Sequence, residues 1–447
     1  MAHLERLSMA NASSASLDTV HPRDQAVTTP RSLSANFAWT LTGNIIYAAC
    51  QLGMLIVLAR LGSPEAVGQF AFGLAVSSPL FIFSQLALRS VQATDAKSIF
   101  RFEDFLALRL LTTLFAVVGI VIIALLSAHT PQAGLVIVAV GCAKAFESIS
   151  DMYYGLLQRH ERMDRIAWSL IIKGPLMLIA LGIIVYSTHD VFLGTLGMAF
   201  VSALTLVLYD VPSRALVSAA GSSAKTLSLQ VPMPQRRALM RLACLSLPLG
   251  AAALLISLTP NIPRYFIQHH LGAAQLGIFA TVAYFPAIGV MISGAHGQAI
   301  TPRLAQYYAT GQRVAYLKLL LMFAGHATVL GLGGIALAAL AGRPILTKLY
   351  GAQYAQYGDL LTAVMIGAAI HYLASVFSYA MTAVHYFRLQ PFILIVADAS
   401  TLVLSAVLVP SQHLIGAVIA WSAGSLIQAL GMLAANLHAL SKVKEPA

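Results

Sequence analysis

Long apolar runs alternate with short polar stretches along nearly the whole chain. Twelve such runs can be drawn, over residues 36–59, 67–90, 105–127, 133–157, 166–187, 190–210, 242–268, 275–300, 316–341, 359–386, 391–410 and 413–438. Each is about the length a helix needs to cross a hydrocarbon core of ~30 Å at ~1.5 Å per residue. Membrane β-strands are shorter, about ten residues, and alternate in polarity. The pattern predicts an all-α polytopic membrane protein with about twelve transmembrane helices.

The pattern also repeats. "LARLGSPEAVGQFAFGLAV" (58–76) resembles "IQHHLGAAQLGIFATVAYF" (267–285), half a chain later. Leu61-Gly62 matches Leu271-Gly272, and Gly68 then matches Gly277 with one residue deleted. The longest internal polar stretch, 211–241, reads as a cytoplasmic linker between an N-terminal six-helix bundle (36–210) and a C-terminal one (242–438). An even number of spans gives both halves the same orientation, related by a pseudo-two-fold along the membrane normal, with a cavity expected between them near the midplane. Residues 1–35 and 439–447 read as cytoplasmic tails, the first disordered: it is rich in Ser, Ala and Thr and lacks the apolar core of a signal peptide.

Composition agrees with the pattern. The chain is 58% hydrophobic and 10% charged, against roughly 25% charged in soluble domains. A net charge of +11 would suit nucleic acid, but its distribution points elsewhere. Lys97, Arg101, Arg159, Arg162, Arg165, Arg214, Lys225, Arg236, Arg237, Arg241, Arg303, Arg313, Lys318 and Arg388 fall in alternate connections. The other side holds only Arg60, Arg343 and Lys348. The positive-inside rule then puts both termini in the cytoplasm and makes anionic lipid, with no nucleic acid, the partner of most of these charges. Cys50, Cys142 and Cys244 all lie in apolar runs and read as free thiols. Nothing has the spacing of a metal site, a nucleotide loop or a catalytic triad, so no cofactor and no enzymatic activity are expected.

Candidate chemistry lies in polar stripes inside the spans. Lys144, Glu147, Asp151, Tyr154 and Gln158 are spaced to share one helix face. In the tenth span His371, Ser375, Ser378, Thr382 and His385 do the same. The first span adds Thr40, Asn44, Tyr47 and Gln51, the second Ser78, Gln85 and Arg89, and the seventh Ser257, Asn261, Arg264 and Gln268, with Pro260 and Pro263 beside the arginine. Lys173 and Asp398 stand in the fifth and eleventh spans. A charge facing lipid costs at least ~2.5–3.5 kcal/mol, so these groups face a cavity or one another. Lys144 and Glu147 are also spaced to neutralise each other. His296 and His326 read as lone interior hydrogen-bonding groups.

Three stretches carry a family resemblance: "LARLGSPEAVGQFAF" (58–72), "NIPRYFIQHHLGAAQLGIFA" (261–280) followed by "ITPRLAQYYATGQ" (300–312), and "ILTKLYGAQYAQYGDLL" (345–361). In these, and in its twelve spans, the chain is similar to the polysaccharide biosynthesis flippases, the O-antigen and exopolysaccharide translocases of the multidrug/oligosaccharidyl-lipid/polysaccharide exporter superfamily. The resemblance implies a MATE-like transporter fold in the bacterial inner membrane and alternating access. It also implies translocation of an undecaprenyl-pyrophosphate-linked oligosaccharide to the periplasmic leaflet. Polysaccharide polymerase or assembly proteins are the implied partners. In that family the residue before the arginine of the "NIPR" stretch is often acidic. Here it is Pro263, so an ion-coupling role for that acid does not carry over.

On this reading Arg264, Arg89, Lys144 and Lys173 contact the pyrophosphate, because cationic donors suit an anionic headgroup. Asn44, Gln51, Asn261, Gln268, His371, Ser375, Ser378, Thr382 and His385 line the cavity and bind sugar hydroxyls. Glu147, Asp151 and Asp398 balance charge or carry protons. The alternatives are a multidrug or cation antiporter of the same superfamily, a non-transporting membrane component of a polysaccharide assembly complex, and an integral glycosyltransferase, which would want a larger extracytoplasmic loop.

Overall fold

The computed structural model describes residues 33–95, 99–127, 130–218, 236–384 and 389–442, and the described residues hold helices and no strand. In chain order the helices are α1 (Leu33–Leu61), α2 (Pro64–Gln85), α3 (Leu88–Thr94), α4 (Phe102–Ser127), α5 (Pro131–Arg159), α6 (Met163–Thr188) and α7 (Val191–Thr205). A π-helical turn, Leu206–Asp210, leads into α8 (Val211–Ser218). Then follow α9 (Arg236–Val282), α10 (Pro286–Ala309), α11 (Arg313–Tyr350), a 3-10 turn (Ala352–Tyr357), α12 (Gly358–Ala383) and α13 (Gln390–Ser441).

Ten helical segments are long and apolar enough to cross a membrane. Two of them fold back on themselves. Gly272 (φ 82°) divides α9, and His413 (φ 55°) divides α13. The part of α9 beyond Gly272 continues across a break at 283–285 into α10. Among the described residues the crossings therefore number twelve. Side chains such as Phe115, Leu126 and Leu340 stand 69%, 83% and 87% exposed, as a lipid-facing surface requires.

Several boundaries differ from the sequence reading. The second span stops at Gln85 and restarts as α3 after two left-handed residues. The sixth continues past residue 210 through the π turn and α8. The expected linker is helical at both ends, over 211–218 and from 236, and its middle, 219–235, lies outside the described residues, as do 1–32 of the expected tail. The eighth span is broken where Pro286 can donate no backbone hydrogen bond. Tyr350 Oη donates to the Thr281 carbonyl at 3.3 Å and Tyr372 Oη to the Pro286 carbonyl at 3.0 Å, which satisfies groups on both sides of the break.

Most helix pairs pack within one half, α1 on α6 and α2 on α5 in the first, α11 on α12 and α12 on α13 in the second. The most extensive contact, α2 against α9, crosses between halves. There the repeated glycines meet. A Cβ on Gly68 would overlap the backbone of Ala273, and a Cβ on Gly277 would overlap the carbonyl of Pro64. Gly68 and Gly277 are the matched positions of the repeat, so each half offers the same small residue to the other. At the same end of the bundle, Arg60 caps α11 by donating to the carbonyls of Leu349, at 2.8 Å, and Lys348. Tyr265 Oη to Ala75 O (2.6 Å) and Tyr284 Oη to Ala48 O (2.9 Å) complete the hydrogen bonds between halves among the described residues.

Candidate functional site

A cavity of about 250 Å3 opens within the first half, walled by Thr40, Asn44 and Tyr47 of α1, Gln85 of α2, Arg89 of α3, Glu147, Asp151 and Tyr154 of α5, and Lys173 of α6. The sequence reading expected a cavity between halves; every residue lining this one belongs to the first. Gln51, Lys144 and Glu147 line a small adjoining space. The 3-4 spacing along α5 is what turns its stripe toward α1, α3 and α6.

Two local distortions aim the charges. Leu86 and Ala87 both have φ 49°, a conformation costing roughly 1–2 kcal/mol for a residue with a Cβ. They take Arg89 off the line of α2, and its Nη1 reaches Asp151 at 3.1 Å while Nε donates to Gln158 at 3.0 Å. The π turn ends at Asp210; such turns re-aim single side chains at functional sites. Ala87→Gly is expected to leave thermal stability of the purified protein unchanged or slightly raised, since glycine adopts this φ freely. A clear fall in Tm would show that the turn is not strained.

The charges form three connected groups. Asp151 accepts from both Arg89 and Arg109, the latter at 3.2 Å, and Arg109 is fully buried and also donates to Ser148 Oγ at 3.3 Å. Lys144 Nζ lies 2.7 Å from Glu147, whose other oxygen accepts from Tyr47 Oη at 2.9 Å. Lys173 Nζ sits 3.6 Å from Asp210 and donates to Ser150 Oγ and Tyr154 Oη at 3.1 Å each. Tyr154 and Ser169 are 2.6 Å apart, and Ser169 donates to Asp210 at 2.6 Å, which closes a ring. Four cations thus face three carboxylates, leaving one positive charge in excess.

Arg109 and Asp210 were not among the expected site residues. Each is a charge embedded in an apolar run, "FLALRLL" (105–111) and "LVLYDVP" (206–212). That signal was available, and for Arg109 it is strengthened by Thr112 and Thr113, three and four residues on and on the same helix face.

The expected residues of the second half lie elsewhere. Arg264, Asn261 and Gln268 share a face of α9 but do not line the cavity; Arg264 Nη1 donates to Asn261 Oδ1 at 3.3 Å. Asp398 accepts from Thr259 Oγ1 at 2.6 Å, and its other oxygen has no partner. The α12 stripe packs on α13: His371 Nδ1 is 3.4 Å from Ser425 Oγ, and Ser378 accepts from Gln428 at 3.3 Å. Ser375 and Thr382 donate to the carbonyls of His371 and Ser378, one turn back. His385 is outside the described residues. Here the polar groups join helices, as hydroxyls and amides in membranes commonly do. His296 and His326 are not lone; their rings stand 5.0 Å apart. Among the described residues no group of three or more His, Cys, Asp or Glu is placed to hold a metal.

The same fold occurs in solved structures. The inward-facing conformation of a multidrug resistance MATE transporter matches 91% of this chain and 99% of its own at a TM-score of 0.69 and 14% identity. The lipid II flippase MurJ in its inward closed conformation matches 91% of this chain and 90% of its own at 0.69 and 12%. In sequence, the chain is 27% identical over 386 residues to the capsular polysaccharide biosynthesis protein CapF of Staphylococcus aureus, covering 86% of this chain and 93% of that one. The family model for polysaccharide biosynthesis proteins matches residues 33–308, more than half of the chain. This multi-pass membrane protein therefore belongs to the polysaccharide biosynthesis protein family.

Proposed function

We propose that the chain is a flippase of the bacterial cytoplasmic membrane, with both termini in the cytoplasm. It carries an undecaprenyl-pyrophosphate-linked oligosaccharide to the periplasmic leaflet by alternating access. The observation that carries this reading is the cation-rich cavity: Arg89, Lys144 and Lys173 present donors to a polar space with one excess positive charge. A sugar headgroup crossing hydrocarbon would lose its water partners; Asn44, Tyr47 and Gln51 offer replacements, and the isoprenoid stays in lipid. Glu147 and Asp151 keep the empty site near neutrality, and Asp398 serves charge balance or proton movement in the second half. Moving two negative charges outward across ~100 mV, inside negative, releases about 4–5 kcal/mol, enough to bias export. Similarity to a capsule protein favours a surface polysaccharide as the product. A cation antiporter sharing this fold is disfavoured, because the excess charge repels a cationic drug.

The test is made in cells whose surface polymer depends on this protein. Replacing Arg89, Lys144 and Lys173 together by glutamine is expected to lower surface polymer at least tenfold at unchanged protein level. The lipid-linked saccharide then accumulates out of reach of reagents added outside. Undiminished polymer from the triple variant would overturn the reading.

A further inference from the structure

Among the described residues, each of the four cations around the first-half cavity has a carboxylate within 4 Å: Arg89 and Arg109 share Asp151, Lys144 has Glu147, and Lys173 has Asp210. Arg264 is different. Among the described residues its protein partner is the neutral Asn261, at 3.3 Å. Its Nε is sealed from solvent without an acceptor, and one turn on the Gln268 Oε1 is sealed without a donor. Asp398 is bound to the same helix through Thr259. Five residues at ~100° each place Thr259 well round the helix from Arg264, so the carboxylate addresses another face.

The sealed Nε destabilises the empty protein, because no protein acceptor repays its lost hydration. A guanidinium with free donors gains most from an oxyanion. Its place along the path is set by its neighbour. Tyr265 fastens this turn of α9 to Ala75, in the middle of α2. Gln85, at the end of α2 and in the wall of the first cavity, is ten residues further, about 15 Å along the helix.

We propose that Arg264 is a second anion site, distinct from the first-half cavity, which receives the pyrophosphate of the same substrate after it leaves Arg89, Lys144 and Lys173. The inference rests on the flippase reading and adds a direction to it. The first site is largely, though not fully, balanced by its own carboxylates, with one positive charge in excess, so it holds the headgroup less firmly than a cation with no counter-ion. The second lacks a counter-ion and draws it onward, toward the break in α9 at Gly272. Asn261 orients the guanidinium, and Gln268 presents its amide beside the bound group.

Thermal unfolding of the purified full-length protein in detergent, with inorganic pyrophosphate as the probe, separates the outcomes. Without anion, Arg264→Gln is expected to unfold on the order of 2 °C higher than wild type, because an uncompensated charge has gone. Pyrophosphate is expected to raise the wild-type Tm. That rise is expected to shrink by about half in Arg264→Gln and likewise when Arg89, Lys144 and Lys173 are all replaced by glutamine, and to vanish when the four changes are combined. Arg264→Lys, which keeps the charge, retains part of it. A lower Tm for Arg264→Gln with an unchanged pyrophosphate response overturns the second site and leaves the flippase reading standing. No pyrophosphate response in wild type overturns both.

Discussion

Asp151→Ala is expected to destabilise the protein by about 3–5 kcal/mol, the cost of removing one partner from a buried ion pair. The carboxylate serves two guanidiniums, and they are not equally placed. Arg89 is 35% exposed and can turn toward the water of the cavity, whereas Arg109 is 0% exposed and, among the described residues, has Ser148 as its one other side-chain acceptor. Its Nε already lacks a partner in the intact protein. The loss is therefore mostly that of Arg109. Thermal unfolding in detergent and protein level in membranes measure it. Adding Arg109→Met to Asp151→Ala should recover more than half of the lost stability, because a buried charge is replaced by an apolar chain of similar length. Adding Arg89→Met should recover much less. If the two second-site changes restore stability equally, burial does not decide which arginine depends on Asp151. Export is not expected to return with stability, since Arg89 then keeps only its bond to Gln158 of α5 and loses the carboxylate that sets the direction of its other donors.

The membrane-spanning pattern was legible because it is repetitive and one-dimensional: an apolar run either reaches the length of a bilayer or does not. The 3-4 spacing of Lys144, Glu147, Asp151, Tyr154 and Gln158 was legible for the same reason, and all five residues take part in the ion pairs and hydrogen bonds around the cavity. Partners were not legible. Asp210 meets Lys173, 37 positions earlier, only because a π turn and the packing of α6 on α7 bring them together, and no local spacing announces that. The break at Leu86 and Ala87 was invisible because both residues favour helix; tertiary contacts hold them in a conformation their side chains oppose. The α12 stripe shows the opposite failure. Its spacing is as regular as that of α5, yet it faces α13. Periodicity tells that a face is polar and leaves open whether a cavity or a helix lies opposite.

The repeat had a consequence that only the fold reveals, and it predicts the effect of filling the glycine contact. Gly277→Leu is expected to abolish export, with surface polymer falling at least tenfold. A Cβ at this position meets the Pro64 carbonyl and lies 2.8 Å from the Gly68 nitrogen. Both obstacles are backbone, so no rotamer change relieves the overlap and the helices must part. Parting α2 from α9 beyond Gly272 opens the end of the bundle that Arg60 also holds shut. A cysteine placed at Ala273 in a variant lacking the native thiols reports this directly. Its labelling by a membrane-impermeant maleimide should be slow with Gly277 present and several-fold faster with Gly277→Leu. Gly68→Leu is expected to act alike, because Gly68 presses on Ala273 as Gly277 presses on Pro64. The double variant should be little worse than either single one, since both changes wedge the same contact. Full export by Gly277→Leu, or additive losses in the double variant, would mean that the two glycines are separate packing positions rather than the reciprocal halves of one closure.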